Sequence, residues 1–121
     1  MSRRFLVGLT TVPLAASGLG VVATISSAHA ADCYFPAWSD VDGRTGHGIL
    51  GSTPIRVGPE GTCGPETYVG DYVKLAYDCW RFNKEGRTWT HVHLAGSRGI
   101  DDGWVRDDFL NNDGAIVKCP N

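Results

Sequence analysis

Hydrophobic and polar positions after residue 30 alternate in short runs, and no long stretch repeats with the 3.6-residue period of a helix. Glycine, proline, asparagine and aspartate residues separate these runs and indicate turns. Short strands at this spacing are typical of a small all-β barrel or sandwich. The predicted strands are Thr53–Val57, Tyr72–Phe82, Thr88–Leu94, Gly103–Arg106 and Ile116–Cys119.

The two longest predicted strands form a hairpin, joined by a glycine-containing loop over residues 83–87. On the first strand, alternate positions share a face that we interpret as the core face. These positions are Val73, Leu75, Tyr77 and Cys79. On the second strand Val92 and Leu94 face the core, so the opposite, outer face carries one tryptophan and two histidines. These three residues are Trp89, His91 and His93.

Residues 1–30 have the pattern of a cleavable export signal. Arg3 and Arg4 precede a charge-free apolar run, and Ala28-His29-Ala30 ends it with small residues at the cleavage positions. The paired arginines fit the twin-arginine route, and the general secretory route fits equally. A membrane anchor is the alternative, but glycine, threonine and serine dilute the run. We expect cleavage after Ala30 and a secreted protein.

Cleavage of this signal changes what the composition implies. It leaves 91 of the 121 residues and removes Arg3 and Arg4, so the net charge falls from −2 to −4. An acidic chain argues against nucleic-acid binding and gives no support for binding to an anionic membrane. A chain of this length forms one small domain, with no room for a large two-domain enzyme.

All four cysteines follow the signal, so two disulfides are expected in the oxidising compartment. They are Cys33, Cys63, Cys79 and Cys119, and the sequence leaves three pairings open. Paired cysteines provide no thiolate nucleophile, and no Gly-x-Ser-x-Gly motif is present. The aspartates at 101, 102, 107 and 108 lie in a turn-rich stretch typical of solvated charges. We predict a non-catalytic protein without a cofactor.

The two histidines on the outer face raise the question of a metal. His91 and His93 project to the same side of one strand, as two zinc or copper ligands could. They hold an ion only if further ligands converge, and Asp78 or Asp101 could supply one. An exposed polar strand face explains the pair more simply, so we predict no metal site. A small metal-binding protein remains an alternative.

Several short motifs, taken in order, resemble the bacterial SH3-like domain family. The resemblance covers about Ser52 to Asn112, and the four cysteines together with Trp104-Val105-Arg106-Asp107-Asp108 resemble small secreted actinobacterial members. Cys63 departs from the pattern, since many members carry a polar loop residue there. The motifs are Ile55-Arg56-Val57-Gly58-Pro59, Gly70-Asp71-Tyr72-Val73, Gly86-Arg87-Thr88-Trp89-Thr90-His91-Val92, Gly103-Trp104-Val105 and Phe109-Leu110.

This resemblance implies a five-stranded SH3-like barrel over residues 52–112, preceded by an extension over 31–51 and followed by a tail over 113–121. Gly103 is then expected where two strands approach closely. In such a barrel we favour one disulfide between Cys63 and Cys79, and another between Cys33 and Cys119. Each of these bridges ties a loop or a terminus to the sheet.

The resemblance also implies a function. SH3 folds bind extended peptides in an aromatic groove beside the long first loop. We therefore predict a secreted, non-catalytic module that binds a cell-wall peptide or another extended peptide. The alternative is a secreted inhibitor of an extracellular enzyme, with the loop Pro59–Pro65 as a rigid plug. The predicted groove residues are Tyr72, Trp80, Phe82, Trp89 and Trp104.

Overall fold

A computed structural model describes residues 33–97, 99 and 101–120, so the predicted export signal lies outside the described residues. The described chain is all-β, as predicted, with one 3-10 turn at Asp107–Phe109. No helix in these ranges has the length and apolar character needed to cross a membrane. The six strands are β1 (Thr45–Gly46), β2 (Ser52–Arg56), β3 (Pro65–Gly70), β4 (Leu75–Phe82), β5 (Thr88–Leu94) and β6 (Gly103–Arg106).

All six strands belong to one curled antiparallel sheet with the order β1-β4-β5-β6-β2-β3. The central pair is the predicted hairpin of β4 and β5, and β6 pairs with β5 from the other side. The sheet then passes through a short β2–β6 contact, in which Arg56 lies opposite Trp104. The main hydrophobic cluster draws residues from β2, β3, β4, β5 and β6.

Strand prediction succeeded where alternation was strong. β5 and β6 have the predicted bounds, whereas β4 begins three residues later than expected because residues 71–73 form a turn. β1 and β3 were not predicted, since one is very short and the other is bounded by proline and glycine. The predicted strand Ile116–Cys119 is wrong, because in that segment only Lys118 forms a bridge, with Trp80.

The main core lies on one face of the sheet. Leu75, Tyr77 and Val92 are buried there, as their alternation predicted. Burial raises the pKa of the Tyr77 phenol to about 12, so this side chain stays neutral through the physiological range. The complete buried cluster is Ile55, Val69, Leu75, Tyr77, Val92, Val105, Leu110 and Ala115.

A β-bulge at Asp78 divides β4 into two halves, and the alternation of side chains between the two faces of the sheet is reversed from one half to the other. Tyr77 lies opposite Val92 and Cys79 lies opposite His91, so Asp78 is an extra residue in the strand. The extra residue moves Cys79 to the other face of the sheet, and its predicted place on the Tyr77 face is wrong. A second buried cluster forms on that other face from Cys79, Trp89, Trp104 and Cys119.

The disulfides join Cys33 to Cys63 and Cys79 to Cys119, so the predicted pairing is wrong. The bulge explains the second bond, because it turns Cys79 to the side of the sheet on which Cys119 lies, while the tail runs along the edge of β4. There the Cys119 N–H donates to the Trp80 carbonyl at 2.7 Å. The first bond crosses Gly58, where an added Cβ would lie 2.8 Å from both sulfurs.

Gly103 lies where β2 and β6 approach each other, as expected. A Cβ at this position would collide with the backbone carbonyl of Arg56 and approach the Ile55 side chain at 2.8 Å. We expect Gly103→Ala to lower the free energy of unfolding by about 2 kcal/mol or more, because the colliding atom belongs to the backbone, which cannot move aside as a flexible side chain can. Urea unfolding measures this. Gly61→Ala is the control, since nothing lies within 4 Å of its Cβ, and equal stabilities for the two variants would contradict the prediction.

Candidate functional site

A buried carboxylate links the two histidines of β5. Asp78, which is fully buried in the bulge, accepts a hydrogen bond at Oδ2 from His91 Nδ1 at 2.8 Å. His93 Nδ1 lies 2.9 Å from the other oxygen, Oδ1. That contact lacks the alignment of a hydrogen bond, so Oδ1 has no hydrogen-bond partner among the described residues. Alternation places both histidines on one face, and the bulge brings the carboxylate to them.

This face is covered by residues 33–44, which we call the N-terminal strap. Trp38 stacks on the His91 ring with 3.7 Å between ring centres. The strap is fastened at the bulge, because the N–H groups of Val41 and Asp42 both donate to the Asp78 carbonyl, at 3.0 and 2.9 Å. The face predicted to be outer is therefore buried, with Trp89, His91 and His93 exposed by 2, 3 and 8%.

One cluster of possible metal ligands lies at the edge of this covered face. Ligand atoms of Asp40, Asp78 and His93 lie within 4.8 Å of one another. Asp40 belongs to the strap and is exposed, whereas the other two residues are buried. His91 and His93, the pair of the metal-binding alternative, are thus divided, because His91 Nδ1 is already bonded to Asp78. Sequence spacing gave no signal for Asp40.

A separate cleft of about 200 Å³ lies between two loops. One side is the loop after β2, over residues 57–64, and the other is the β4–β5 hairpin loop over residues 83–87. The cleft is lined by Glu60, Gly61, Thr62, Glu85, Arg87, Trp89 and Arg106. Of the five predicted groove residues, only Trp89 lines it.

Both loops beside the cleft are held in place. In the first loop, the Cys63 carbonyl accepts from Arg56 Nη1 at 2.9 Å, and the disulfide fastens Cys63 to Cys33. In the hairpin loop, Asn83 Oδ1 accepts from the backbone N–H groups of Glu85 and Arg87, each at 3.0 Å. The cleft is therefore bounded by ordered backbone, which presents its polar groups in a defined geometry.

The polar groups of the cleft carry both signs of charge. Glu60 is 3% exposed and accepts a 3.4 Å hydrogen bond from the Lys84 N–H. Arg106 is bonded through two nitrogens to the exposed carboxylate of Asp108. The Trp89 indole Nε1 is buried without a hydrogen-bond partner among the described residues. A buried donor without an acceptor is unfavourable unless something else supplies that acceptor.

The other four predicted groove residues do not line this cleft. Trp104 is buried in the second cluster and contacts the His91 ring edge-to-face. Trp80 and Phe82 form an edge-to-face pair at 5.2 Å on the opposite side of β4, with Lys118 Nζ 5.8 Å from each ring centre. Tyr72 is 92% exposed in the turn before β4. The five aromatic residues therefore do not form the single exposed groove that was expected.

The acidic stretch near residue 107 is only partly solvated. Asp107 is half-buried and accepts a hydrogen bond from the Thr90 hydroxyl at 2.6 Å. Burial raises the pKa of Asp107, and the hydroxyl lowers it by a smaller amount. The same Thr90 oxygen accepts from the Ala115 N–H at 2.9 Å, so Thr90 fastens the tail to β5 while the Asp107 carboxylate orients its hydroxyl. The arrangement explains Asp107 as a structural residue.

Comparison with protein-family models, with curated proteins and with solved structures finds no match for this chain. The resemblance to bacterial SH3-like domains therefore stays a prediction from short motifs, beside a sheet of six strands where five were expected.

Proposed function

We propose that this protein is a secreted, non-catalytic module that binds an extended peptide, such as a cell-wall peptide, in the cleft between residues 57–64 and 83–87. The observation that carries the proposal is Trp89. Trp89 lines the cleft, and its buried indole Nε1 has no hydrogen-bond acceptor among the described residues. A peptide backbone offers regularly spaced carbonyl oxygens, which are the acceptors that such a donor needs.

The size of the cleft favours a peptide that lies across it. Enclosed sites for drug-sized molecules have volumes of about 300–1,000 Å³, whereas this cleft measures about 200 Å³. It accommodates one side chain or one short stretch of backbone, while the rest of the ligand extends over the loops. This is the geometry of an anchored extended peptide.

The charges favour a ligand that carries both an ammonium and a carboxylate. Glu60 and Glu85 lie on the cleft wall with Arg87 and Arg106. A guanidinium pairs well with a carboxylate, and a carboxylate pairs with an amine. Peptides with free amino and carboxyl groups, as in bacterial cell walls, supply both charges. The two disulfides suit an oxidising extracellular environment, where such a ligand is met.

Trp89→Phe tests the proposal most directly, because it keeps an aromatic ring and removes only the indole N–H and part of the ring. We expect about tenfold weaker retention on purified peptidoglycan, the effect of one lost hydrogen bond to a buried donor. The measurement is a sedimentation assay with the disulfide-bonded protein over a range of peptidoglycan concentrations.

Trp104→Phe is the matched control. Trp104 has the same 2% exposure and belongs to the same buried cluster, but it is not part of the cleft wall. It therefore carries a similar packing loss without the binding loss. Equal retention of the two variants, or no retention of the wild-type protein, would argue against the cleft as a peptide site.

One observation favours the inhibitor alternative. The first loop is fastened near both ends, by the Val57 N–H to the Gly64 carbonyl at 3.1 Å and by the Cys63 disulfide, while Gly61 and Thr62 are exposed at its tip. A rigid exposed tip loses little entropy when it enters an active site. Inhibition of an extracellular hydrolase that Thr62→Arg abolishes, without peptidoglycan retention, would support this function instead.

A further inference from the structure

The covered face of the sheet has an arrangement that peptide binding does not use. Asp78 is fully buried and its Oδ1 atom lacks a hydrogen-bond partner within the described residues. A buried carboxylate oxygen without a hydrogen bond is costly, and such atoms usually bind a cation or a strong donor. The contact that Oδ1 does make is with His93 Nδ1, at 2.9 Å. We propose that Asp40, Asp78 and His93 bind a divalent transition-metal ion, with Zn²⁺ as the best match to these ligands.

The geometry of the buried pair supports two ligands that share one ion. His93 Nδ1 and Asp78 Oδ1 are 2.9 Å apart, close to the separation of about 3 Å between neighbouring ligands that bond lengths near 2 Å produce. The imidazole nitrogen is not aligned on the oxygen as a hydrogen-bond donor would be. At this separation a single ion can contact both atoms at ordinary bond lengths.

The third ligand, Asp40, lies on the solvent-exposed side of the site. Asp40 in the strap places a carboxylate oxygen within 4.8 Å of the other two ligand atoms. One imidazole nitrogen and two carboxylate oxygens suit Zn²⁺, which accepts both ligand types, and three protein ligands leave a position for water. Ca²⁺ and Mg²⁺ require more oxygen ligands than this cluster offers.

His91 acts as a positioning residue for this site. Its Nδ1–H bond to Asp78 Oδ2 orients the carboxylate, and Trp38 stacked on the ring holds His91 in turn. Outer hydrogen bonds of this kind fix the direction of a metal ligand. Since Asp40 and Trp38 both belong to the strap, the ion joins the strap to the sheet and stabilises the covered face.

The test is isothermal titration of ZnCl₂ into the tag-free, disulfide-bonded protein after treatment with a chelator. We expect one Zn²⁺ per chain, about tenfold weaker binding or worse for Asp40→Asn and for His93→Gln, and a raised melting temperature with zinc. Glu66→Gln and His47→Gln are matched controls, because each removes one carboxylate or one imidazole elsewhere on the chain. Both controls are expected to bind zinc as the wild type does.

Three results would overturn the site. The first is the absence of zinc uptake at about 1 mM free metal, a concentration at which even a weak site would be filled. The second is unchanged zinc binding by Asp40→Asn, and the third is Ca²⁺ binding as tight as that of Zn²⁺. Asp40 is exposed, so its variant is expected to fold even if His93→Gln does not. Nitrogen NMR of the histidines gives a second measurement. Zinc should shift the His93 ring signals more than those of His47, and equal shifts would contradict the assignment.

Discussion

Replacing both Cys79 and Cys119 by alanine is expected to lower the free energy of unfolding by about 4 kcal/mol or more. The bond closes a loop with a sequence separation of 40 residues, for which the chain-entropy model gives about 4 kcal/mol. Both cysteines are also buried beside Trp89 and Trp104, so their loss opens a cavity in the second cluster. The total free energy of unfolding of a small domain is about 5–15 kcal/mol, so this loss is a large part of it and approaches complete unfolding.

The matched control is the double alanine variant at Cys33 and Cys63. Its loop has a sequence separation of 30 residues, and Cys33 is only partly buried. We expect a smaller loss, because the closed loop is shorter and only one of the two cysteines, Cys63, is fully buried. Guanidinium unfolding of both variants, followed by circular dichroism, makes the comparison. A larger loss for the control would show that the strap, and not the second cluster, dominates stability.

Asp78→Ala is expected to lower the free energy of unfolding by about 3 kcal/mol or more, because it removes a fully buried side chain that contacts two histidines, and each buried polar group left unpaired costs about 1–3 kcal/mol. The change removes the acceptor of the His91 Nδ1 hydrogen bond and the carboxylate beside His93. Asp78→Asn keeps an acceptor oxygen in nearly the same volume, so its loss is expected to be smaller. Urea unfolding of the metal-free protein separates this effect from any contribution by zinc.

An exposed aspartate supplies the control for this second prediction. Asp108 forms a 2.7 Å ion pair with Arg106 but is 57% exposed, and exposed pairs contribute at most about 1 kcal/mol. Asp108→Ala is therefore expected to unfold nearly as the wild type does. Similar losses at Asp78 and Asp108 would mean that burial of the carboxylate does not determine its contribution.

The local alternation of hydrophobic and polar residues was sufficient to predict much of the sheet. The alternation in β5 identified its bounds, and it placed Trp89, His91 and His93 on one face. Regular alternation follows from strand geometry alone, because successive side chains point to opposite faces. The same reasoning identified Gly103 as a point of close approach, since only a residue without Cβ fits there.

Non-local contacts decided the candidate sites. Whether the Trp89 face is open or covered depends on where the strap lies, and Trp38 and Asp40 reach that face from more than 35 positions away along the chain. The position of the cleft likewise depends on how two separate loops approach each other. No periodicity within a strand contains this information, so the five predicted aromatic residues were divided among three places.

By itself the sequence determined an all-β domain with two disulfides, a central hairpin and the facing of β5, because these follow from spacing and from cysteine number. Only the tertiary structure decided the disulfide pairing, the bulge at Asp78 and the contact of that carboxylate with two histidines. The physical reason is a single extra residue. The extra residue leaves no mark in the hydrophobic pattern of β4, yet it moves every side chain that follows to the opposite face of the sheet. Which strand accommodates such a residue depends on the neighbouring strands.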